Sequence, residues 1–228
     1  MAAAGRGARM GQPKQLLQLG GRPLAAWSLE VLARADNVTA IVIACESADV
    51  AAFEQLARDF GCGKVREVVP GGARRQDSVF AALRRVPADA GIIVVHDGAR
   101  PFAGVDVLRQ VIESAGKSGA AIAAVPVKDT IKEVNEHNTV IRTIPRERLW
   151  AAQTPQAFAR ELLLAAHEQA EAAGFVGTDD AEIVERFAGV MPSVVHSTYE
   201  NLKITTPEDI IVAEQLLSAR AAGASPCA

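Results

Sequence analysis

Cysteine and net charge are both in short supply along this chain, and each shortage excludes a class of protein. Cys45, Cys62 and Cys227 are the cysteines among 228 residues. Their odd number and lack of metal-ligand spacing fit free thiols in a reducing cytoplasm and argue against a disulfide framework or a structural zinc. No apolar run reaches membrane-spanning length and no charged-then-apolar leader opens the sequence, so a soluble, cytoplasmic protein with no membrane partner is expected. Acidic residues outnumber basic ones, 27 to 24. Nucleic acids and anionic membranes select a basic excess, so neither is an expected partner, and any phosphate site has to be built locally. What is abundant is apolar: 49% of the residues are hydrophobic, enough for the core of one domain. No repeat period or interdomain linker divides the chain, which predicts a single domain over residues 1–222 with 223–228 as a disordered tail.

Hydrophobic periodicity alternates between helix and strand. Residues 23–35 place Leu24, Trp27, Leu29, Val31 and Leu32 mostly at helical spacing, with a proline in the first turn. Short apolar runs at 39–45, 91–95 and 120–127 read as strands buried on both faces, with shorter strands at 67–69, 193–195 and 201–204. Helices are predicted at 47–60, 74–86, 105–117 and 156–173, with another starting at 178–182 and a last one running from Thr206-Pro207-Glu208-Asp209 to about 222. Strands alternating with helices imply crossovers, hence an α/β fold with a doubly wound, mostly parallel sheet. Residues 128–150 break the pattern. They are polar, alternating and β-prone, with Asn135-Glu136-His137-Asn138 where a turn would fall, and predict a protruding β arm.

Three places carry chemistry. Gly5, Gly7 and Gly11 in the opening loop leave backbone N–H groups open to a phosphate, and Arg6, Arg9 and Lys14 add cations beside them. A dinucleotide fingerprint needs glycine where Met10 stands, a Walker loop needs Gly-Lys-Ser/Thr, and a frayed basic terminus is the bland alternative. The second is Gly71-Gly72-Ala73-Arg74-Arg75-Gln76-Asp77-Ser78, a glycine turn entering a helix, where Ser78 and free N–H groups suit a base or ribose and Arg75 suits a phosphate; taken alone, this stretch is better read as an ordinary turn with a charged first helical turn. His96-Asp97-Gly98-Ala99-Arg100-Pro101 is the third, at a strand end where open parallel sheets bind ligands. Asp97 there suits Mg²⁺, directly or through water, or substrate hydroxyls. A lone histidine is more often structural, so His96 is given no proton-transfer role.

Taken together, Ala3-Ala4-Gly5, Gly7, Arg9-Met10-Gly11 and Pro13-Lys14-Gln15 resemble the signature loop of the sugar-phosphate nucleotidyltransferases, in particular the 2-C-methyl-D-erythritol 4-phosphate cytidylyltransferase family. The resemblance continues through Gly71, Gly72, Arg75, Asp77, Ser78 and Val79, then His96, Asp97, Ala99, Arg100 and Pro101. It goes on through Asp129-Thr130-Ile131-Lys132, Arg146, Leu149-Trp150 and Gln153-Thr154-Pro155-Gln156, and ends in Asn201-Leu202-Lys203-Ile204-Thr205. These motifs lie in family order from Ala3 to Asp209. The resemblance implies a Rossmann-like nucleotidyltransferase fold that joins CTP to methylerythritol phosphate, with Mg²⁺, in the non-mevalonate route to isoprenoids. It further implies a homodimer in which the arm hooks over its partner. Arg9 and Lys14 would stabilise charge in the transition state, and Arg146 and Lys203 would hold the attacking phosphate. Ala3, Ala4, Gly5, Gly7, Gly71, Gly72, Arg75, Ser78, Asp97, Arg100, Thr130 and Thr154 would contact nucleotide or substrate. Ribitol phosphate in place of methylerythritol phosphate, or a non-catalytic nucleotide-binding protein, are the alternatives.

One element is short. The strand feeding the signature loop belongs at the centre of a parallel sheet, and strands usually run about five or six residues. Met1 to Ala4 supply a stub, so a truncated first strand is expected, with an apolar β-branched segment encoded ahead of Met1. A weakly folded or inactive protein is the other outcome.

Overall fold

A computed structural model describes residues 1–5 and 14–223. The elements follow as β1 (Ala2–Ala3), a 3₁₀ turn (Lys14–Leu16), β2 (Gln18–Leu19), β3 (Arg22–Pro23), α1 (Leu24–Arg34), β4 (Ile41–Cys45), α2 (Val50–Phe60), β5 (Val65–Pro70), α3 (Arg75–Leu83) and β6 (Ile92–Val95). Then come α4 (Val105–Ser118), β7 (Ala120–Pro126), β8 (Ile131–Val134), β9 (Val140–Ile144), β10 (Trp150–Ala159), α5 (Arg160–Ala172), α6 (Asp180–Ala188), β11 (Ser193–His196) and α7 (Pro207–Gly223).

The strands form two half-sheets, β5-β4-β1 and β6-β10-β7-β11. β1 joins them: it pairs in parallel with Ala44 and Cys45 of β4 on one side and bridges to Asp97, just past β6, on the other. Side chains of β4 alternate between two helical layers, as the period of two requires. Ile41, Ile43 and Cys45 pack with α1 and α2 through Leu29, Phe53 and Leu56, while Val42 and Ala44 face Val69, Ala82 and Val86. On the second side Ile93, Val95 and Phe158 meet Phe80, Leu163 and Ile183 of α3, α5 and α6. Helices on both faces of a mostly parallel sheet make the doubly wound α/β architecture expected from the alternation of elements. Each large side chain fully buried in these layers contributes roughly 1.5–3 kcal/mol.

The first strand is a stub, as expected. It stops short of the full height of β4 and β6, and the two strands face one another across a cavity of about 680 Å³ lined by Met1, Ile41, Val42, Leu83, Ile92 and Val94 among others. The Met1 amino group closes its upper end, donating to the Val42 carbonyl at 2.7 Å.

Two expectations need correcting. Residues 156–173 read as one helix, but 156–159 complete β10, and α5 starts only at Arg160. Alanine favours helix on propensity alone. Here Ala157, with Ala121 and Ala123 of β7, lies where Val111 and Ala115 of α4 press onto the sheet, and small side chains allow that approach. β10 runs antiparallel to both neighbours, and its pairing with β7 is interrupted between Ala152 and Gln156. Pro155 lies in that gap, where a residue without an N–H does least harm to a ladder. Residues 201–204 are not a strand. They are pinned by single contacts instead, Ile204 N–H to the Ala99 carbonyl and the Asn201 amide to the Thr154 carbonyl.

The arm forms as a two-stranded hairpin, β8 against β9. Its turn falls at Asn135–Asn138 as expected: the Asn135 carboxamide oxygen accepts from His137 and Thr139 N–H, and Asn138 takes φ of 58°. A second small hairpin, β2–β3, was not legible beforehand. It turns on Gly20 and Gly21 at φ of 57° and 74°, a conformation that L side chains resist.

Candidate active site

A cavity of about 280 Å³ opens where β1 and β6 end, and its lining brings together Ala4, Gly5, Lys14, Arg75, Ser78, Asp97 and Lys203 from four separate stretches of chain. This is the strand-end position at which parallel sheets place ligands. Gly71 has to be glycine here, since a Cβ on it would lie 2.5 Å from the Ala4 Cβ and 2.7 Å from Ser78 Oγ.

Asp97 is the centre of charge. Its Oδ1 accepts from Arg75 Nε at 3.0 Å, its Oδ2 from Lys203 Nζ at 2.8 Å, and Arg100 Nε stands 3.7 Å away. Burial alone would raise its pKa, but these three cations hold the carboxyl far below the usual carboxylate range. Lys14 Nζ donates to the Ile204 carbonyl at 3.0 Å, which fixes the 3₁₀ turn against the Lys203 segment. Arg100 is tied through Nη1 to the Asn201 carbonyl at 2.8 Å. The basic groups are therefore placed before any ligand arrives, the condition under which electrostatic stabilisation is largest.

Several expected contacts sit beneath or beside the cavity rather than in its wall. Thr154 is buried; its hydroxyl accepts from the Asp97 N–H at 3.0 Å and stands 3.1 Å from His96 Nδ1. Ser78 lines the cavity, yet its hydroxyl is engaged by the Gly72 N–H and the Arg74 carbonyl, so it shapes the turn. Ala3 is buried in the core. Thr130 and Arg146 lie exposed on or beside the arm, where Arg146 donates to the Lys128 carbonyl, and neither lines the cavity of its own chain. Gly7 and Arg9 fall outside the described residues.

His96 has the environment of a structural histidine. The Arg100 carbonyl beside Nε2 assigns the proton there, leaving Nδ1 to accept from Thr154. Burial pushes the imidazole down to about 4. The unfolded value is near 6.5, so the unfolded chain binds more protons between those limits and stability must fall as pH drops from about 6.5 to 4, by a few kcal/mol in all. Chemical denaturation across that range should show the slope, and His96→Gln, which cannot titrate, should flatten it; an unchanged slope would contradict the buried neutral state.

Sequence reasoning reads residues 178–182 as a capped helix start, which holds, but misses an acid, Asp180, and a histidine, His167, at the site. Asp179 caps α6, accepting from Glu182 N–H at 2.9 Å and Gln156 Nε2 at 2.8 Å. Asp180, fully buried, accepts from Arg75 Nη1 at 2.7 Å and lies 3.1 Å from His167 Nε2. The signal was present: Asp180 shares the buried face of α6 with Ile183 and Val184, and His167 that of α5 with Leu163 and Ala170. A polar residue on an apolar stripe is the informative exception.

The fit of Mg²⁺ follows from the donors. Among the described residues no three His, Cys, Asp or Glu side chains are grouped to cage a metal, and Asp97 is the one carboxylate lining the cavity. One carboxylate suits a Mg²⁺ that arrives on phosphate oxygens and keeps several waters. No helix among the described residues is long and apolar enough to cross a membrane.

Known proteins are similar to this chain over almost its whole length. The 2-C-methyl-D-erythritol 4-phosphate cytidylyltransferase (IspD) family model matches residues 1–219. The enzyme of that name from Shouchella clausii is 48% identical over 220 residues, 96% of this chain and 95% of the relative. That from Halalkalibacterium halodurans is 44% identical over 218 residues, 95% and 94% of the two chains. Among solved structures, 4-diphosphocytidyl-2C-methyl-D-erythritol synthase from Anaerococcus prevotii superposes with a TM-score of 0.85 at 33% identity, covering 95% of this chain and 93% of that one. The Thermus thermophilus 2-C-methyl-D-erythritol 4-phosphate cytidylyltransferase gives 0.76, also at 33% identity, with 95% and 96% covered. Identity of this level over almost the whole length of both chains makes this chain a member of the 2-C-methyl-D-erythritol 4-phosphate cytidylyltransferase family.

Proposed function

We propose that this chain is a nucleotidyltransferase that joins CTP to 2-C-methyl-D-erythritol 4-phosphate, giving CDP-methylerythritol and pyrophosphate for isoprenoid synthesis. The observation that carries the reading is the cluster of Lys14, Arg75 and Lys203 around Asp97 in one strand-end cavity. A phosphate oxygen of the polyol attacks the α-phosphorus of CTP in line; the new P–O bond forms as the bond to the β-phosphate oxygen breaks, and pyrophosphate carries the electron pair away. A phosphate monoester is already ionised near neutral pH, so no base is needed. Lys14 and Arg9 stabilise charge gathering on the phosphoryl oxygens, and Lys203 and Arg146 hold the attacking phosphate. The chemistry is positioning and electrostatics, with no covalent enzyme intermediate.

Asp97 is the residue that would hold Mg²⁺, which when bound neutralises triphosphate charge. Its cations are already poised to exchange one anion for another, which supports this assignment. The arm belongs, on this reading, to a homodimer in which Thr130 and Arg146 serve the partner's cavity; supporting it, the arm exposes Val134, Val140 and Ile141. Family membership favours methylerythritol phosphate over ribitol phosphate, and catalysis over simple nucleotide binding. A cytoplasmic location suits the unpaired thiols Cys45 and Cys62.

Pyrophosphate release tests the substrate pair. With CTP and methylerythritol phosphate it should exceed that with ATP, GTP or UTP, and that with ribitol 5-phosphate, by tenfold or more. Release with ribitol 5-phosphate as the better acceptor would move the assignment to the pentitol enzymes.

A further inference from the structure

We propose that Asp180, backed by His167, is the positioning residue that keeps the Arg75 guanidinium aimed at the nucleotide; the inference rests on reading the 280 Å³ cavity as the nucleotide site. Arg75 is clamped between two carboxylates. Its Nε bonds Asp97 at 3.0 Å inside the cavity and its Nη1 bonds Asp180 at 2.7 Å behind it, while 28% of the side chain stays exposed. Burial opposes its charge, and the two carboxylates more than restore it.

The two partners differ in what they are free to do. Asp97 lies in the cavity wall and is shared with Lys203 and Arg100, so an incoming polyphosphate or cation competes for it. Asp180 is enclosed, with 0% of its side chain exposed, and has no such competitor. It is the first residue of α6, where the helix dipole favours a negative charge, and burial is outweighed by Arg75 and His167, which hold its carboxyl below the usual range. His167 is itself fully buried and stacked on Phe80 with ring centroids 5.7 Å apart. Its Nε2 lies 3.1 Å from Asp180 Oδ1, and its Nδ1 has no hydrogen-bond partner, which assigns the ring proton to Nε2. One oxygen of Asp180 therefore takes the imidazole N–H and the other takes Arg75, so the carboxylate cannot rotate. Without Asp180, Arg75 keeps only Asp97 and folds onto it, away from the nucleotide.

Charge and position predict opposite effects, and this separates them. Among the described residues, five cations (Lys14, Arg74, Arg75, Arg100, Lys203) stand against three carboxylates (Asp77, Asp97, Asp180) in and around the cavity. Neutralising Asp180 makes the site more positive and by charge alone should tighten binding of a polyanion. Asp180→Asn cannot accept from both His167 and Arg75, because its NH₂ has to face one of two donors. Equilibrium dialysis of CTP against the full chain is the measurement. Asp180→Asn is expected to weaken CTP binding about tenfold or more, to raise KM for CTP more than it lowers kcat, and to add nothing in an Arg75→Met background. His167→Met, which lacks the donor, should weaken binding several-fold, whereas His167→Gln, which offers an N–H in its place, should restore it. Should Asp180→Asn fail to fold, the two His167 variants decide the matter between them. CTP binding that is equal or tighter in Asp180→Asn, or indistinguishable in His167→Met and His167→Gln, overturns the proposal. A parent chain that binds no nucleoside triphosphate fails the nucleotide reading itself, and is distinguished by that measurement alone.

Discussion

Lys14→Ala is expected to lower kcat by about a hundredfold or more while KM for CTP changes only a few-fold. In-line displacement at the α-phosphorus gathers negative charge on oxygens that are less charged in bound CTP, so a cation placed there binds the transition state more tightly than the ground state. Removing one such preorganised donor commonly costs about 10²–10³ in rate. Lys14 meets the requirement for preorganisation, since it lines the cavity and its Nζ is tied to the Ile204 carbonyl at 3.0 Å. Thermal melting should stay within a few degrees, because Lys14 is a half-buried residue of the cavity wall rather than of the core. Turnover within about threefold of the parent would remove Lys14 from the chemical step. The same variant reports on the arm. Inactive Lys14→Ala chains mixed with inactive Arg146→Ala chains should recover part of the activity if Arg146 acts across a dimer, as one hybrid site then has both residues intact; no recovery in proven hybrids would place Arg146 in its own chain's site.

The second large effect concerns stability. Fusing five apolar, β-branched residues ahead of Met1 should raise the melting temperature by roughly 10 °C. The 680 Å³ cavity between β4 and β6 is lined by Ile41, Val42, Leu83 and Val94, and a strand running through it in parallel would be hydrogen-bonded on both sides. Burying two or three such side chains gains about 1.5–3 kcal/mol each, and about 1 kcal/mol moves the melting point by roughly 2–4 °C in a domain of this size. The Met1 amino group adds to the effect. Burial pushes it down to about 5, and as an amide it would keep its bond to the Val42 carbonyl without any charge to desolvate. A Gly/Ser/Asp segment of equal length is the control. Equal melting temperatures for the two fusions would mean that the cavity does not accept a strand.

Much of this fold was legible because its central strands are short apolar runs with helices between them. Residues 41–45 and 92–95 sit where their β-branched content put them, and the cavity lies at the strand ends that the His96-Asp97 motif follows. What was hidden depended on long-range packing. Ala157 reads as helix until α4 is laid across it, and the Lys203 segment reads as strand until Ile204 is seen to hold a single bond to Ala99. The site divides in the same way. Lys14, Asp97 and Lys203 belong to motifs and were expected in the wall. Thr154 belongs to one too, but its hydroxyl supports Asp97 and His96 from below. Asp180 looked like part of a helix cap, because local spacing shows which acid caps and gives no sign that the next one reaches Arg75, 105 residues away in sequence.

The central claim is transfer of a cytidylyl group within this cavity, and phosphorus NMR of a reaction mixture tests it most directly. With CTP, Mg²⁺ and methylerythritol phosphate, the account predicts that the monoester signal is replaced by the two coupled signals of a diphosphate diester, with one equivalent of pyrophosphate formed alongside. Loss of CTP to CDP and inorganic phosphate, or persistence of the monoester signal while the chain binds CTP, would contradict it.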